Sequence, residues 1–343
     1  MLSAKGNTVL DRRTLLALAG LAVPAFSLPA TSALAQAKNP CADFDKPRDQ
    51  FLAASGEKSF LIQVGGSPSW RADYQPDKPL FIGSAFKSFV LTSYLRNVET
   101  GMLTLSDRLP INDDIRSLSS PVFGAEADPA KKLQGEVSAR SVLEAMIAHS
   151  DNTATDAILR HVGVEEVRRS IASAGLTATR IPDSTRRAFS YFAGAPPDTD
   201  EGWAGMQRIM ADQFFGPPRS AINDRQTMVS SAADMVSYYQ RVLAGEFFAN
   251  PHTLTEFKRI SAMADMIAMV VPPDIAAYAK GGSVDWQDFH AASGPGQMML
   301  GRTPVTFCFT LNWTGPDDGV PKKLDGFKDA VAGMLKAVAT CFG

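Results

Sequence analysis

Residues 84–87 read Ser84-Ala85-Phe86-Lys87, and the apolar segment that follows them predicts a long helix starting at about Ser84. Its apolar positions recur at helical spacing: Phe86, Val90, Leu91 and Tyr94. On that helix Lys87 lies one turn after Ser84 and on the same face. A serine hydroxyl beside a lysine amine is a nucleophile with its base. The start of a helix also offers free N–H groups to a developing anion.

Two further motifs follow in the chain. Ser150-Asp151-Asn152 lies between two predicted helices, and Lys280-Gly281-Gly282-Ser283 lies within a predicted strand. Each alone has an ordinary explanation: a polar helix–helix connector with capping residues, and a β-bulge with an edge lysine. Occurring in this order, in strand, helix and strand context, the three motifs predict the parts of one acyl-transfer site.

The ordered set resembles the motifs of the penicillin-recognising serine hydrolases, and most of all those of the class A β-lactamase family. The segment 146–155 resembles the family's Ser-Asp-Asn helix junction, 103–108 resembles the segment after its nucleophile helix, and 230–245 resembles a later helix. The resemblance covers most of residues 42–340. It implies the β-lactamase-like fold and an enzyme without a metal ion or other cofactor.

The resemblance implies three catalytic residues. Ser84 would attack the carbonyl carbon of a strained or activated acyl group. Lys87 would take the serine proton, which requires a lysine made neutral by burial and nearby charge. Ser150 would pass a proton to the departing nitrogen.

The same resemblance implies the substrate-binding residues. Asn152 would hold Lys87 and the amide of the substrate, and Lys280 would attract a substrate carboxylate. The backbone N–H groups of Ser84 and Ser283 would form the oxyanion hole. Gly282 would let the substrate backbone lie along the strand as an added strand.

Strand and helix patterns predict an α/β plus all-α architecture. Residues 38–100 and 246–343 are predicted to form an α/β half, with an antiparallel sheet built from both chain ends and flanked by helices. Strands are predicted at 59–65, 70–74, 276–284, 287–293, 296–301 and 304–313. The inserted residues 101–245 are predicted to be all-α, apart from a long irregular loop at 186–226 that is rich in Pro, Gly, Asp and Arg.

Residues 1–37 are predicted to be a secretory signal peptide. Arg12-Arg13 precede an apolar run, and Ala33-Leu34-Ala35 is a small-x-small cleavage site, with Ala35-Gln36-Ala37 as a second option. The basic region also resembles a twin-arginine export signal, an ordinary Sec signal being the alternative. We therefore expect a periplasmic or secreted protein with no membrane anchor after cleavage.

Composition narrows the class of partner. The chain has 343 residues, 45% of them hydrophobic, and a net charge of −2, which argues against nucleic acid or an anionic membrane surface as partner. Its four histidines are scattered without metal-ligand spacing, so no zinc site is predicted. We expect a monomer that acts on a small molecule or a cell-wall peptide.

The chain has three cysteines, and two of them are predicted to pair. Cys41 and Cys341 lie near opposite ends of the mature chain, and chain ends often lie close together. In an oxidising compartment they would form a disulfide. Cys308 lies in an apolar run that predicts a buried strand, where its thiol would fill the core, although it remains a competitor for pairing.

Two positions depart from the family pattern. Gly281 stands where the family has Thr or Ser, so a backbone role survives there and a hydroxyl role does not. The segment 180–187 has no glutamate where the family carries its deacylating base. Nearby carboxylates that could substitute, or that could be solvated loop charges, are Asp183, Asp198, Asp200 and Glu201.

The predicted function is therefore an exported serine hydrolase that forms an acyl-enzyme at Ser84. Hydrolysis of β-lactams, an activity that confers antibiotic resistance, is the first hypothesis. A D-alanyl peptidase or an esterase of the same fold is the second. A β-lactam-binding sensor with little turnover is the third, because the acylation residues are all present and the deacylation base is not.

Overall fold

The computed structural model describes residues 41–66, 69–118 and 133–343. Its strands are β1 Glu57–Val64, β2 Trp70–Tyr74, β3 Leu80–Phe81, β4 Arg108–Ile111, β5 Gly135–Ser138, β6 Val229–Ser230, β7 Ala277–Ala279, β8 Gly282–Trp286, β9 Phe289–Ser293, β10 Gly296–Leu300 and β11 Thr303–Thr314.

The α-helices are α1 Asp45–Ala53, α2 Lys87–Glu99, α3 Ala139–Ala148, α4 Asn152–Val162, α5 Val164–Ser173, α6 Thr185–Phe192, α7 Gly202–Met210, α8 Ala232–Leu243, α9 Pro251–Ser261, α10 Met266–Val270 and α11 Val320–Phe342. Short 3-10 turns occur at Ala42–Phe44, Gly83–Phe86 and Asp317–Gly319.

A seven-stranded antiparallel sheet joins the two ends of the chain. One edge of β11 pairs along its length with β1, which in turn pairs with β2. The other edge of β11 is shared: its first half pairs with β10 and its second half with β9. β7 then pairs with β10, and β8 pairs with β9. This arrangement confirms the predicted antiparallel sheet built from both chain ends.

Alternation along the strands buries both faces of the sheet. Phe60 and Ile62 of β1 lie in a core with α1 and α11, whereas Leu61 lies in a second core with α2, α3, α4 and α8. On β11 the same alternation sends Phe307 to the first core and Cys308 to the second. Because β11 lies between two layers of helices, both of its faces are buried, including the polar side chains of Thr306, Thr310 and Asn312.

A disulfide joins Cys41 to Cys341, with the two Cα atoms 5.6 Å apart. The predicted pairing is confirmed. It ties the start of the first turn to the end of α11, which packs on α1. Cys308 is a free, buried thiol, and burial raises its pKa to about 12, as suits a side chain that fills the core.

Three predictions about elements need correction. The segment 186–226 was expected to be an irregular loop, but it contains most of α6 and all of α7. Residues 101–245 are not wholly helical, because they include the β4–β5 hairpin and β6. The strand predicted at 276–284 is two strands, β7 and β8, separated at Lys280-Gly281. The division into an α/β half and an inserted half stays a prediction.

Helices that could cross a lipid bilayer are not found among the described residues. The predicted signal peptide at 1–37, with its arginine pair and cleavage sites, lies outside the described residues.

Candidate active site

Ser84 lies in a 3-10 turn, Gly83–Phe86, that leads directly into α2 at Lys87. The strand before the turn, β3, is hydrogen-bonded to a side chain of the large sheet. Asn312 of β11 accepts a hydrogen bond from the nitrogen of Phe81 at 2.8 Å and donates to the carbonyl oxygen of Phe81 at 2.9 Å. The nitrogen of Ile82 donates to the carbonyl oxygen of Met228 at 2.8 Å. The two residues before the turn are therefore fixed, and Ser84 itself remains partly exposed.

The side chain of Lys87 is fully buried and points at the Ser150-Asp151-Asn152 motif. Its Nζ lies 2.7 Å from the carbonyl oxygen of Ser150, 2.7 Å from Oδ1 of Asn152 and 3.2 Å from Oγ of Ser150. A neutral amine has two N–H donors and one lone pair. The two oxygens at 2.7 Å accept hydrogen bonds from the two N–H groups, and the hydroxyl of Ser150 can donate to the lone pair. Lys87 can thus be satisfied without its charge.

Ser150 owes its place to an unusual backbone. Its φ is +56°, in the left-handed region that side-chain-bearing residues seldom adopt, and such strain collects at functional sites. The next residue, Asp151, caps α4 by accepting from the nitrogen of Ala154 at 2.8 Å. Asn152 begins α4, and its Nδ2 donates to the carbonyl oxygen of Leu118 at 2.7 Å. The two polar groups that contact Lys87 are therefore rigidly held.

Charge and burial both favour the neutral amine. Burial lowers the pKa of Lys87 well below its usual value, and the nearby cation of Lys280 lowers it further. The carboxylates of Asp151 and Asp156 oppose that shift. Burial also lowers the pKa of Lys280 to about 7, and the Nζ of Lys280 donates to the carbonyl oxygen of Gly281 at 2.9 Å.

The third motif lies directly against the Ser84 turn. A Cβ added at Gly282 would lie 2.6 Å from the backbone nitrogens of Ser84 and Ala85. A Cβ added at Gly83 would lie 2.7 Å from the backbone nitrogen of Ser283. The start of β8 and the turn thus meet backbone to backbone, with the N–H groups of Ser84 and Ser283 in the two elements that touch. All seven residues predicted for the site lie in these three adjoining segments.

Two of the four carboxylates considered as substitutes for the missing glutamate, Asp183 and Asp200, are held in ion pairs. Asp183 accepts from Arg168 at 2.6 Å, from Gln226 at 2.6 Å and from Arg187 at 3.3 Å. Asp200 pairs with Arg186 at 2.6 Å. Asp198 is exposed, and Glu201 precedes α7 as its N-cap residue.

Sequence reasoning missed the residues that dock α6 onto the site. Thr185, the first residue of α6, is buried, and its hydroxyl lies 2.8 Å from Oγ of Ser117 and 3.4 Å from the carbonyl oxygen of Asn152. The buried carboxylate of Asp156 accepts from the nitrogens of Thr185 and Arg186. A signal for Asp156 existed, because a charged residue among the apolar positions of a predicted helix needs a partner. Asn312 gave a similar signal inside an apolar strand.

Within the described ranges, no group of three or more His, Cys, Asp or Glu side chains is placed to hold a metal ion. The absence of a cofactor stays a prediction.

Comparison with known proteins identifies the family to which this chain is similar. A family model described as the beta-lactamase enzyme family matches residues 46–294. A β-lactamase from Sphaerobacter thermophilus DSM 20745 superimposes with a TM-score of 0.65, at 18% identity over 88% of this chain and 97% of that one. A β-lactamase from Xanthomonas campestris pv. campestris gives 0.62, at 18% identity over 88% and 99%.

A variant of PBP-A, solved as an acyl-enzyme complex with penicillin G, gives a TM-score of 0.61 at 15% identity over 87% of this chain and 97% of that one. No curated protein sequence matches the chain. At these identities the structural likeness concerns the fold, which is that of β-lactamases.

Proposed function

Because this chain belongs to the beta-lactamase enzyme family, we propose that it is an exported serine hydrolase that forms an acyl-enzyme at Ser84 and acts on β-lactams. One observation carries the proposal: the buried amine of Lys87 follows Ser84 by one helical turn and contacts both Ser150 and Asn152. Family and fold support a serine hydrolase acting on a small molecule. The substrate and the acyl-enzyme are our proposal.

In the proposed acylation, Ser84 Oγ forms a bond to the carbonyl carbon of the lactam and its proton passes to Nζ of Lys87. The oxyanion accepts hydrogen bonds from the backbone N–H groups of Ser84 and Ser283. Loss of one such donor typically lowers the rate of the chemical step roughly a hundred- to a thousand-fold. The carbon–nitrogen bond then breaks. The proton on Lys87 moves through the hydroxyl of Ser150, 3.2 Å away, to the departing nitrogen. The product is an ester on Ser84.

Hydrolysis of that ester needs a base that activates water. Asp183 and Asp200 are held in ion pairs with arginines, which supports slow deacylation. A second candidate function follows from this observation, namely a β-lactam-binding sensor that acylates and turns over little. Acylation is common to both candidates, and the rate of ester hydrolysis separates them.

Export forms part of the proposal. It is supported by the predicted signal at 1–37 and by the disulfide between Cys41 and Cys341, since disulfides persist in oxidising compartments. N-terminal sequencing of the protein recovered from cells should begin at Gln36 or close to it. An intact N-terminus on protein recovered from the cytoplasm would count against export, and replacing both Arg12 and Arg13 by Lys tests the twin-arginine route.

The test of the acyl-enzyme is intact-mass measurement over time with excess penicillin G. We expect one penicilloyl adduct, located by peptide mapping on the segment containing Ser84. Ser84→Ala should take no adduct, and Lys87→Ala should be acylated at least a hundred-fold more slowly because the hydroxyl loses its base. Undiminished labelling of Ser84→Ala would overturn the assignment. Parallel assays with a D-alanyl-D-alanine peptide and a short acyl ester would reveal a peptidase or esterase instead.

A further inference from the structure

Asp156 is a buried carboxylate one turn into α4, four residues beyond Asn152. Its Oδ1 accepts from the nitrogen of Thr185 at 2.6 Å, and its Oδ2 accepts from the nitrogen of Arg186 at 3.0 Å. These nitrogens are the first two N–H groups of α6, which have no partners inside their own helix. One carboxylate therefore holds the start of α6 with two charge-assisted hydrogen bonds, which are stronger than neutral ones.

The residue held in this way belongs to the site. The hydroxyl of Thr185 contacts the carbonyl oxygen of Asn152 at 3.4 Å and the hydroxyl of Ser117 at 2.8 Å. The nitrogen of Ser117 in turn donates to the hydroxyl of Thr153 at 3.1 Å. Asp156 thus docks α6 onto the N-terminal end of α4. The first residue of α4 is Asn152, whose side chain contacts Lys87.

Asp156 also acts on Lys87 through its charge. It is one of two carboxylates, with Asp151, that oppose the lowering of the Lys87 pKa, while burial and Lys280 promote it. Burial raises the pKa of Asp156 itself to about 6, against its hydrogen bonds and the cation of Arg186. Its outer side borders a cavity of about 520 Å³, whose other charged side chains are Asp114, Arg160, Glu165, Asp183, Arg186, Arg187 and Asp200.

We propose that Asp156 is a positioning residue for acyl transfer at Ser84: its carboxylate fixes the start of α6 against Asn152, whose side chain contacts Lys87. Its negative charge also acts on Lys87 and makes that amine a stronger base. The inference rests on the proposed function, since it assigns a role to Asp156 in that reaction. Asp183 provides the matched comparison. It anchors the same segment through Arg168, Arg187 and Gln226, but it is not among the charges that act on Lys87.

The experiment compares Asp156→Asn with Asp183→Asn in the full chain. The rate of penicillin G acylation is measured by intact mass from pH 5 to pH 9. Removing the Asp156 charge lowers the pKa of Lys87, so the acidic limb of the profile should move toward lower pH. Asp183→Asn should leave the limb in place. The proposal is overturned if the acidic limb of the pH profile stays in place in Asp156→Asn, or if it moves equally in Asp156→Asn and Asp183→Asn.

A measurement on the unaltered protein covers the case in which Asp156→Asn fails to fold. With ¹³C-labelled aspartate and lysine, the Asp156 carboxyl should titrate near pH 6, and the ε-carbon of Lys87 should show an inflection at the same pH. A Lys87 signal that is flat through the Asp156 titration overturns the proposal. This measurement needs no substrate, so its result bears on the role of Asp156 alone. Failure of the proposed function would show itself differently, as a wild-type protein that takes no penicillin adduct.

Discussion

Gly282 packs against Ser84 so closely that a Cβ at position 282 would lie 2.6 Å from the backbone nitrogen of Ser84 and would overlap the carbonyl oxygen of Ile82. All the atoms in the way belong to the backbone, so they cannot rotate aside. Only glycine allows the start of β8 to reach the turn that carries the proposed nucleophile.

Gly282→Ala should therefore damage the proposed site more than the rest of the fold. The added methyl group would displace the N–H of Ser84, and we expect the acylation rate to fall by about a hundred-fold or more, the loss typical of a missing oxyanion donor. Intact-mass kinetics and the Tm would be measured together. Gly326→Ala is the control, because Gly326 lies in α11 with no atom near its Cβ position, and alanine there should stabilise the helix. Normal acylation by Gly282→Ala would contradict the proposed oxyanion hole.

Lys280→Met should stabilise the protein at pH 6 more than at pH 10. Burial lowers the pKa of Lys280 from 10.5 to about 7. Between these values the unfolded chain binds the proton that the native protein lacks, so stability rises with pH in this window. Below pH 7 the native protein carries a buried charge, and its removal should raise the free energy of unfolding by on the order of a few kcal/mol. Urea unfolding at several pH values measures the effect.

The exposed Lys336 of α11 supplies the control for this substitution, and Lys336→Met should change stability equally at both pH values. Equal effects of Lys280→Met at pH 6 and pH 10 would refute the prediction. Because the cation of Lys280 helps to lower the pKa of Lys87, the same variant should also acylate more slowly at neutral pH.

Turnover of a chromogenic cephalosporin should begin with a burst of one equivalent per enzyme, followed by a slow steady state. The physical reason is that the carboxylates of Asp183 and Asp200 are held in ion pairs with arginines. Stopped-flow absorbance measures both phases. A trace that is linear from the start with fast turnover would be the opposite result, and Asp183→Asn and Glu201→Gln would then be the first variants to assay.

Loss of the disulfide should destabilise the protein by roughly 2–4 kcal/mol, because the bond closes a long loop in the unfolded chain. Cys41→Ser, Cys341→Ser and the double variant should lose the same stability, since each removes the same bond. Thiol titration gives an independent measure. We expect no reactive thiol in the native protein, one from Cys308 after denaturation and three after reduction. Additive losses in the double variant would argue against the bond.

The sequence predicted much of this structure because the motifs lie on elements with strong local signals. The apolar stripe after Ser84 identified α2, and Ser138, a residue type typical of helix starts, caps α3 by accepting from the nitrogen of Ser141 at 3.3 Å. The pairing of Cys41 with Cys341 followed from their places near the chain ends. In each case a few neighbouring residues, or one plausible partner, determine the local arrangement.

Other features depend on contacts that no local pattern reveals. The carbonyl oxygen of Ser150 reaches Lys87 only because Ser150 adopts a positive φ, and serine carries no signal for it. Ser184 caps α6, accepting from the nitrogen of Arg187 at 3.0 Å, but the Pro and Gly residues farther along obscured that helix. The docking of α6 depends on Asp156, whose partners are two backbone nitrogens distant in sequence.

The central strand pair constrains the order in which the chain can fold. β1 lies near the N-terminus, yet Val64 pairs with Val305 and Glu57 with Asn312. A ribosome must therefore make the chain beyond Thr303 before β1 finds its neighbour, and pairings between such distant segments form slowly. Chains shortened to end before Thr303 would lack β11, and they should stay unfolded and be degraded by proteases. For this protein, premature termination late in synthesis should be nearly as harmful as termination early in it.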